Sequence, residues 1–337
     1  MEKGMRKVLF IAFIGLAVFG GCAKSSVKSQ NETSKKYLEA WLQLYHTDAK
    51  ETPLGAYVLA DIPGSGKKVG DAATNPYVRA YYTVMTLDGD VTATNVDLLA
   101  QRVGLFDESG YYGPEVWLRS TVLSGIDESL SQMNVGGERT VLVPGWLATT
   151  DRYSTRDEYF NNVTNGSEKI YHLNVVEAIP DIVKWEADSV CAYVGRNYPS
   201  KSLSDSLKLG YYYIRTREPV DTAAFPADST FKINYIGRLL NGDVFDTTIR
   251  DTAEFYGLSR SATYKPQTIK CGDEYTDYTM GGSSNLIDGF SYALYHMRPG
   301  ESCSVVFISK YGYTENGKGS KIKGYTPLRF DIEIVNE

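Results

Sequence analysis

The residues of this chain whose types and spacing could do chemistry lie in its last third, in six ordered fragments. They are Phe231-Lys232-Ile233-Asn234-Tyr235-Ile236-Gly237, then Leu240-Asn241-Gly242-Asp243-Val244-Phe245-Asp246, then Leu286-Ile287-Asp288-Gly289-Phe290. Ala293-Leu294-Tyr295-His296-Met297-Arg298-Pro299-Gly300, Tyr311-Gly312-Tyr313 and Leu328-Arg329-Phe330-Asp331-Ile332-Glu333-Ile334 complete the set. Aromatic side chains dominate, and the carboxylate of Asp246 directly follows Phe245. Such a set suits a reaction carried by apolar walls and few polar groups. The spacing alone suits plain structure equally. Tyr235, Phe245 and Phe330 sit on alternating strands, where aromatics are ordinary core residues, and Asp246 is placed to cap a turn.

Other chemistries find little support. His46, His172 and His296 are the three histidines, and none stands at a metal-ligand spacing. Cys191, Cys271 and Cys303 are scattered and odd in number beyond Cys22, which gives neither a disulfide framework nor a zinc pattern. Buried or free thiols are the plainer reading, with one bridged pair open in an oxidising compartment. There is no Gly-rich phosphate loop and no Gly-x-Ser-x-Gly elbow. No metal and no cofactor are expected. A formal charge of −6 and a pI near 5.3 argue against nucleic acid as a partner.

Taken in order, the six fragments resemble the FK506-binding-protein (FKBP) family of peptidyl-prolyl cis-trans isomerases. The resemblance implies a proline pocket. Tyr235, Phe245, Phe290 and Phe330 would wall the proline ring. Leu286 and Ile287 would open a short helix and offer a backbone amide. Tyr313, with Tyr311 as its rival, would offer a hydroxyl to the substrate carbonyl. Asp246 would hold Tyr235 or a nearby basic residue, and Ile322 would complete the rim. The implied catalytic set is Tyr235, Phe245, Asp246 and Tyr313; the implied substrate-binding set is Leu286, Ile287, Phe290, Ile322 and Phe330. The implied partners are unfolded or proline-containing polypeptides. A non-catalytic FKBP-like protein that holds polypeptides as a chaperone or scaffold is the alternative. The chain departs from the family pattern in four places. Phe290 stands where Trp is commoner, Thr314 follows Tyr313 where Gly is frequent, and Lys323 replaces a Pro after Ile322. About forty residues, including Tyr256, Tyr264 and Tyr275, separate Asp246 from Leu286, and they are expected to reshape or cover the pocket.

The elements that must position these residues occur twice, at a period near 155 residues. Leu38, Trp41, Leu42 and Tyr45 give Glu32 to His46 a helical spacing, with Thr33 or Ser34 as cap. Ile182 to Tyr193 reads as its counterpart. In each copy strands follow, then a short helix between a Gly and a Met-x-x-Gly, Gly125 to Gly136 and Gly289 to Gly300. Short alternating strands with one short helix indicate an α+β fold. The resemblance implies two FKBP-like domains, each a curved antiparallel sheet wrapped around its helix, with a preceding helix in each repeat. The first copy lacks the pocket chemistry: Thr92-Ala93 stands for Phe245-Asp246, Ile126 for Phe290, and Leu147-Ala148-Thr149 for Tyr311-Gly312-Tyr313.

The N-terminus reads as a targeting segment. Lys3, Arg6 and Lys7 precede an apolar run, Val8 to Phe19, that is short for a membrane span. Phe19-Gly20-Gly21-Cys22 looks like a bacterial lipoprotein cleavage site, with Cys22 the lipidated residue. The polar stretch after it suits a flexible tether. The expected organisation is therefore signal peptide 1–21, tether 22–34, degenerate FKBP-like domain 35–180, linker helix and strand 181–224, and isomerase domain 225–337. Loss of residues 1–21 removes three basic side chains and one acidic one, which takes the charge to about −8. Membrane attachment then rests on the lipid at Cys22, in the cell envelope and facing the periplasm.

Overall fold

The computed structural model of the 337-residue chain describes residues 27–164, 166–200, 206–259, 262–282 and 286–335. Helix α1 (Val27–Tyr45) leads into β1 (Lys50–Glu51), β2 (Tyr57–Ile62), β3 (Tyr77–Met85), β4 (Val91–Thr94), α2 (Asp97–Arg102), β5 (Glu115–Leu118), α3 (Ser124–Gln132), β6 (Glu138–Val143), α4 (Arg156–Asn162) and β7 (Lys169–Ile179). Helix α5 (Ile182–Asn197) begins a second series. It comprises β8 (Ser206–Lys208), β9 (Tyr211–Arg217), β10 (Thr230–Leu239), β11 (Val244–Thr247), α6 (Arg250–Phe255), β12 (Gln267–Lys270), β13 (Thr279–Met280), α7 (Asp288–His296), β14 (Ser302–Phe307) and β15 (Leu328–Val335).

The two antiparallel sheets have one topology. The first runs β1-β2-β6-β7-β3-β4, with β5 also on β3; the second runs β13-β12-β10-β15-β14-β9-β8, with β11 also on β10. Each strand of the first has its counterpart in the second, and β13 is the addition. The repeat holds at atomic detail. Gly237 faces Asp246 across β10–β11, and Val84 faces Ala93 across β3–β4, each just before a bulge.

Alternation builds these sheets. On β10 the inward set is Phe231, Ile233, Tyr235 and Leu239; on β15 it is Leu328, Phe330, Ile332 and Ile334. Helix α7 lays Phe290, Ala293 and Leu294 on that face at helical spacing. Gly289 allows the close approach, since a Cβ there would lie 2.6 Å from the Phe307 ring. Gly125 serves α3 in the same way, 2.7 Å from Val143 Cγ1.

Three expectations need correction. Residues 27–34 are helical rather than tether. Asn31 is buried and donates to the carbonyls of Phe160 and Val163 at 2.8 and 2.9 Å, which pins this turn to the first domain. Thr33 lies inside the helix and bonds back to Ser29 O instead of capping. Helix α5 is more than a linker: Ala187, Val190, Tyr193 and Val194 pack with Tyr212, Ile214, Val306 and Ile308 on the outer face of the second sheet. Its buried Glu186 accepts from Ser309 N–H and Oγ–H at 2.5 and 2.7 Å. Cys191, Cys271 and Cys303 are free thiols. No described helix is long and apolar enough to cross a membrane. Cys22 and the segment 1–21 lie outside the described residues.

Candidate functional site

Strand β10 supplies Tyr235, β11 supplies Phe245 and Asp246, α7 supplies Phe290, and β15 supplies Phe330. Their rings form one edge-to-face group. Phe290 and Phe330 have centroids 4.9 Å apart, Tyr235 and Phe290 5.3 Å, and Phe245 and Phe330 5.5 Å. Tyr235, Phe290, Ile322 and Phe330 are buried in this cluster, and Phe245, Leu286, Ile287 and Tyr313 pack against it half-exposed. The structure thus brings together all eight apolar and aromatic candidates. Asp246 joins them through a hydrogen bond, accepting from the Tyr235 hydroxyl at 2.8 Å. Burial first, and the Asp246 carboxylate second, push the Tyr235 phenol far above its ordinary range. The phenol stays protonated, and its proton is committed to Asp246.

Local bonds hold this geometry. Tyr235 N–H donates to Thr248 Oγ1 at 2.9 Å, and Thr247 Oγ1 donates to Tyr235 O at 2.8 Å. The bulge after Gly237 lets β11 swing Phe245 over the β10 backbone. A Cβ at Gly237 would sit 2.6 Å from the Phe245 ring and 3.0 Å from Phe330. Ile287 is the N-cap of α7 and its carbonyl accepts from the Phe290 and Ser291 amides, so the Asp288 and Gly289 amides precede the first intrahelical bonds.

Tyr313 keeps a different hydrogen-bond state from Tyr235. Its hydroxyl accepts from Lys318 Nζ at 3.3 Å. An ammonium can only donate, so the Tyr313 O–H remains available to a substrate. Its rival Tyr311 turns its ring to Tyr211 at 5.8 Å. Of the intervening tyrosines, Tyr278 is buried in the same core, whereas Tyr256, Tyr264 and Tyr275 make their contacts elsewhere. The Tyr256 hydroxyl bonds Arg238, the Tyr264 hydroxyl bonds Ser259 O, and Tyr275 meets Tyr292.

Several contributors were missed from sequence. Lys318 lies in a Gly- and Lys-rich loop with no periodicity to mark it. Phe307 stacks under Phe330 at 5.9 Å and 13°, but on its own strand it reads as core. Gly237 carried a signal, since a glycine inside an alternating strand marks a close approach.

The first domain repeats the scaffold without the chemistry. Tyr82 N–H donates to Asn95 Oδ1, and Thr94 Oγ1 donates to Tyr82 O, as Thr248 and Thr247 do for Tyr235. Ala93 stands in register where Asp246 would be, so the Tyr82 hydroxyl meets no carboxylate there. Its ring instead lies 5.4 Å from Trp117.

The model of FKBP-type peptidyl-prolyl cis-trans isomerases matches residues 222–335. That segment, which contains the ring cluster, is similar to an FKBP-type domain. FK506-binding protein 2 of Dictyostelium discoideum is 28% identical over 146 residues, covering 43% of this chain and 90% of that protein. The peptidyl-prolyl cis-trans isomerase FKBP10 of Bos taurus is 22% identical over 260 residues, 77% of this chain, and the chain spans only 34% of its length. The macrophage infectivity potentiator of Trypanosoma cruzi is 26% identical over 147 residues, 42% of this chain and 63% of that protein. The three FKBP domains of wheat FKBP73 cover 83% of this chain and 94% of that one, at 12% identity and a TM-score of 0.30. The first domain repeats the sheet topology of the matched segment, and the ring cluster lies in the second.

Proposed function

We propose that the second FKBP-type domain catalyses peptidyl-prolyl cis-trans isomerisation of polypeptides in the cell envelope. The observation that carries this reading is the four-ring cluster with its two differently committed tyrosines. The barrier to be lowered is the lost amide resonance, about 18–20 kcal/mol, and uncatalysed exchange takes tens of seconds or more. The reaction itself requires no nucleophile, base or metal. A planar amide is charge-separated and a twisted one less so, so an apolar site favours the twisted form relative to water.

On this reading the proline ring lies on Phe290 between Phe245, Phe330 and Tyr235. Leu286 and Ile287 line the entry, where a backbone N–H at the start of α7 takes a substrate carbonyl. The Tyr313 hydroxyl donates to the carbonyl as the bond rotates, because Lys318 leaves its proton free. Asp246 fixes the Tyr235 ring through its hydroxyl and Ile322 closes the rim. Phe290 keeps an apolar floor with less surface than Trp.

The first domain, with Thr92, Ala93 and Ile126 at the corresponding positions, serves a structural or polypeptide-holding role. Tethering is through lipid on Cys22, facing the periplasm. A Cys22→Ser chain that still takes up a metabolic fatty-acid label would remove that assignment. A protease-coupled isomerase assay on the full chain, with Phe245→Ala and Asp246→Ala alongside, tests the activity. Acceleration lost in both substitutions, with circular dichroism unchanged, is expected. A folded chain with no acceleration across several residues before proline would leave polypeptide holding as the function.

A further inference from the structure

We infer that the first domain is a positioning element for the proposed isomerase pocket, holding the tip of a turn whose two legs carry pocket residues. Residues 318–322 close on themselves: Lys318 N–H donates to Ile322 O at 2.7 Å, and Ile322 N–H donates back to Lys318 O at 3.3 Å. One leg carries Lys318, whose ammonium reaches the Tyr313 hydroxyl. The other carries Ile322, which is 4% exposed in the ring cluster.

The tip is Ser320, and its carbonyl and hydroxyl are taken by the first domain. Tyr111 N–H donates to Ser320 O at 3.2 Å. The Ser320 hydroxyl donates to Ser109 O at 2.8 Å and lies 3.2 Å from Ser109 Oγ. Beyond the turn, Lys323 pairs with Glu115 at 3.3 Å, and the Tyr325 ring meets Tyr77 edge-on at 5.2 Å. The segment from Ser109 to Glu115 therefore grips the same loop at two points.

The consequence is physical. An exposed turn held only by its own bonds samples open arrangements, and a pocket whose rim must order on binding loses apparent affinity by the fraction already ordered. Bonds from a separate, folded domain remove that cost before the substrate arrives. The clamp acts on affinity, through Ile322 at the rim, and leaves the rotating bond itself to the ring cluster and the Tyr313 hydroxyl.

The kinetic readout rests on the isomerase reading; the exchange readout does not. In the full chain, Ser320→Ala removes both hydroxyl contacts and Glu115→Gln removes the ion pair. The double variant is expected to raise KM about three- to tenfold with kcat within about twofold. Amide hydrogen exchange should quicken across residues 314–327, while β10 and β15 keep their protection. Asp246→Ala should instead lower kcat and leave exchange in that loop unchanged. Unchanged KM and unchanged exchange would overturn the clamp, and so would a lower KM or faster turnover, which would make the contact an obstruction. If the wild-type chain does not accelerate isomerisation, the isomerase reading fails separately. The exchange comparison then decides: equal protection in wild type and variant overturns the clamp, and lost protection sustains it.

Discussion

Gly237→Ala should damage the ring cluster without unfolding the domain, and the duplicated fold supplies an internal control. The new methyl would lie 2.6 and 2.7 Å from two atoms of the Phe245 ring and 3.0 Å from Phe330 Cε1. Carbon atoms rest at about 3.5–4.0 Å, so the Phe245 ring must move by about 1 Å. Overpacking of this kind costs about 1–3 kcal/mol. The lower half of that range applies, because Phe245 is half-exposed and has solvent to move into. Activity should fall further than stability, about ten- to a hundredfold, since displacements of this size misplace a bound substrate. The first domain shows the escape from the clash: it carries Val84 in register with Gly237, and Thr92 in place of the ring. In a Phe245→Thr background, then, Gly237→Ala should cost at least about 1 kcal/mol less than in wild type. Urea unfolding of the four chains measures this coupling, and the protease-coupled assay measures activity. Equal costs in both backgrounds would falsify the contact on which the site geometry depends.

The Tyr235–Asp246 bond should be asymmetric. Asp246→Ala strands a buried phenol and should cost about 1–3 kcal/mol, whereas Tyr235→Phe leaves a carboxylate that water reaches and should cost under about 1 kcal/mol; equal costs in denaturant unfolding would refute that account. Burial raises the Glu186 carboxyl, against the bonds from Ser309. Its contribution to stability is therefore present below the unfolded value near about 4.3 and is lost as pH rises through the raised native value. Glu186→Gln should flatten the fall in stability above about pH 4, and identical pH slopes for the two chains would contradict this. Arg119 is 1% exposed and held by Asp127 at 2.6 Å and by the carbonyls of Gly70 and Asn75. Asp127→Ala should cost about 3–5 kcal/mol by stranding that charge, and a loss under about 1 kcal/mol in urea unfolding would show that the carbonyls suffice.

Much of the architecture could be read along the chain because it obeys local rules. The inward residues of β10 and β15 alternate, α7 shows its apolar stripe, and the second copy of each pattern sits one period away. What could not be read depends on partners distant in sequence. Nothing near Asn31 marks it as a buried donor; its acceptors are carbonyls 129 and 132 residues on. The spacing in α5 shows an apolar face but not which surface covers it. Tyr235 and Tyr313 are alike as residue types, and only their neighbours, a carboxylate for one and an ammonium for the other, make one proton committed and the other available.

By itself, then, the sequence determined the strands and short helices, their duplication, and the residue types available to the second site. Those follow from period and turn chemistry, which act between neighbours a few residues apart. The tertiary structure decided which rings touch, which tyrosine keeps a free proton, that α5 closes the outer face, and that the first domain reaches Ser320. Those depend on register and docking, where a bulge of one residue at Gly237 re-aims Phe245 and where bonds form between segments more than two hundred residues apart.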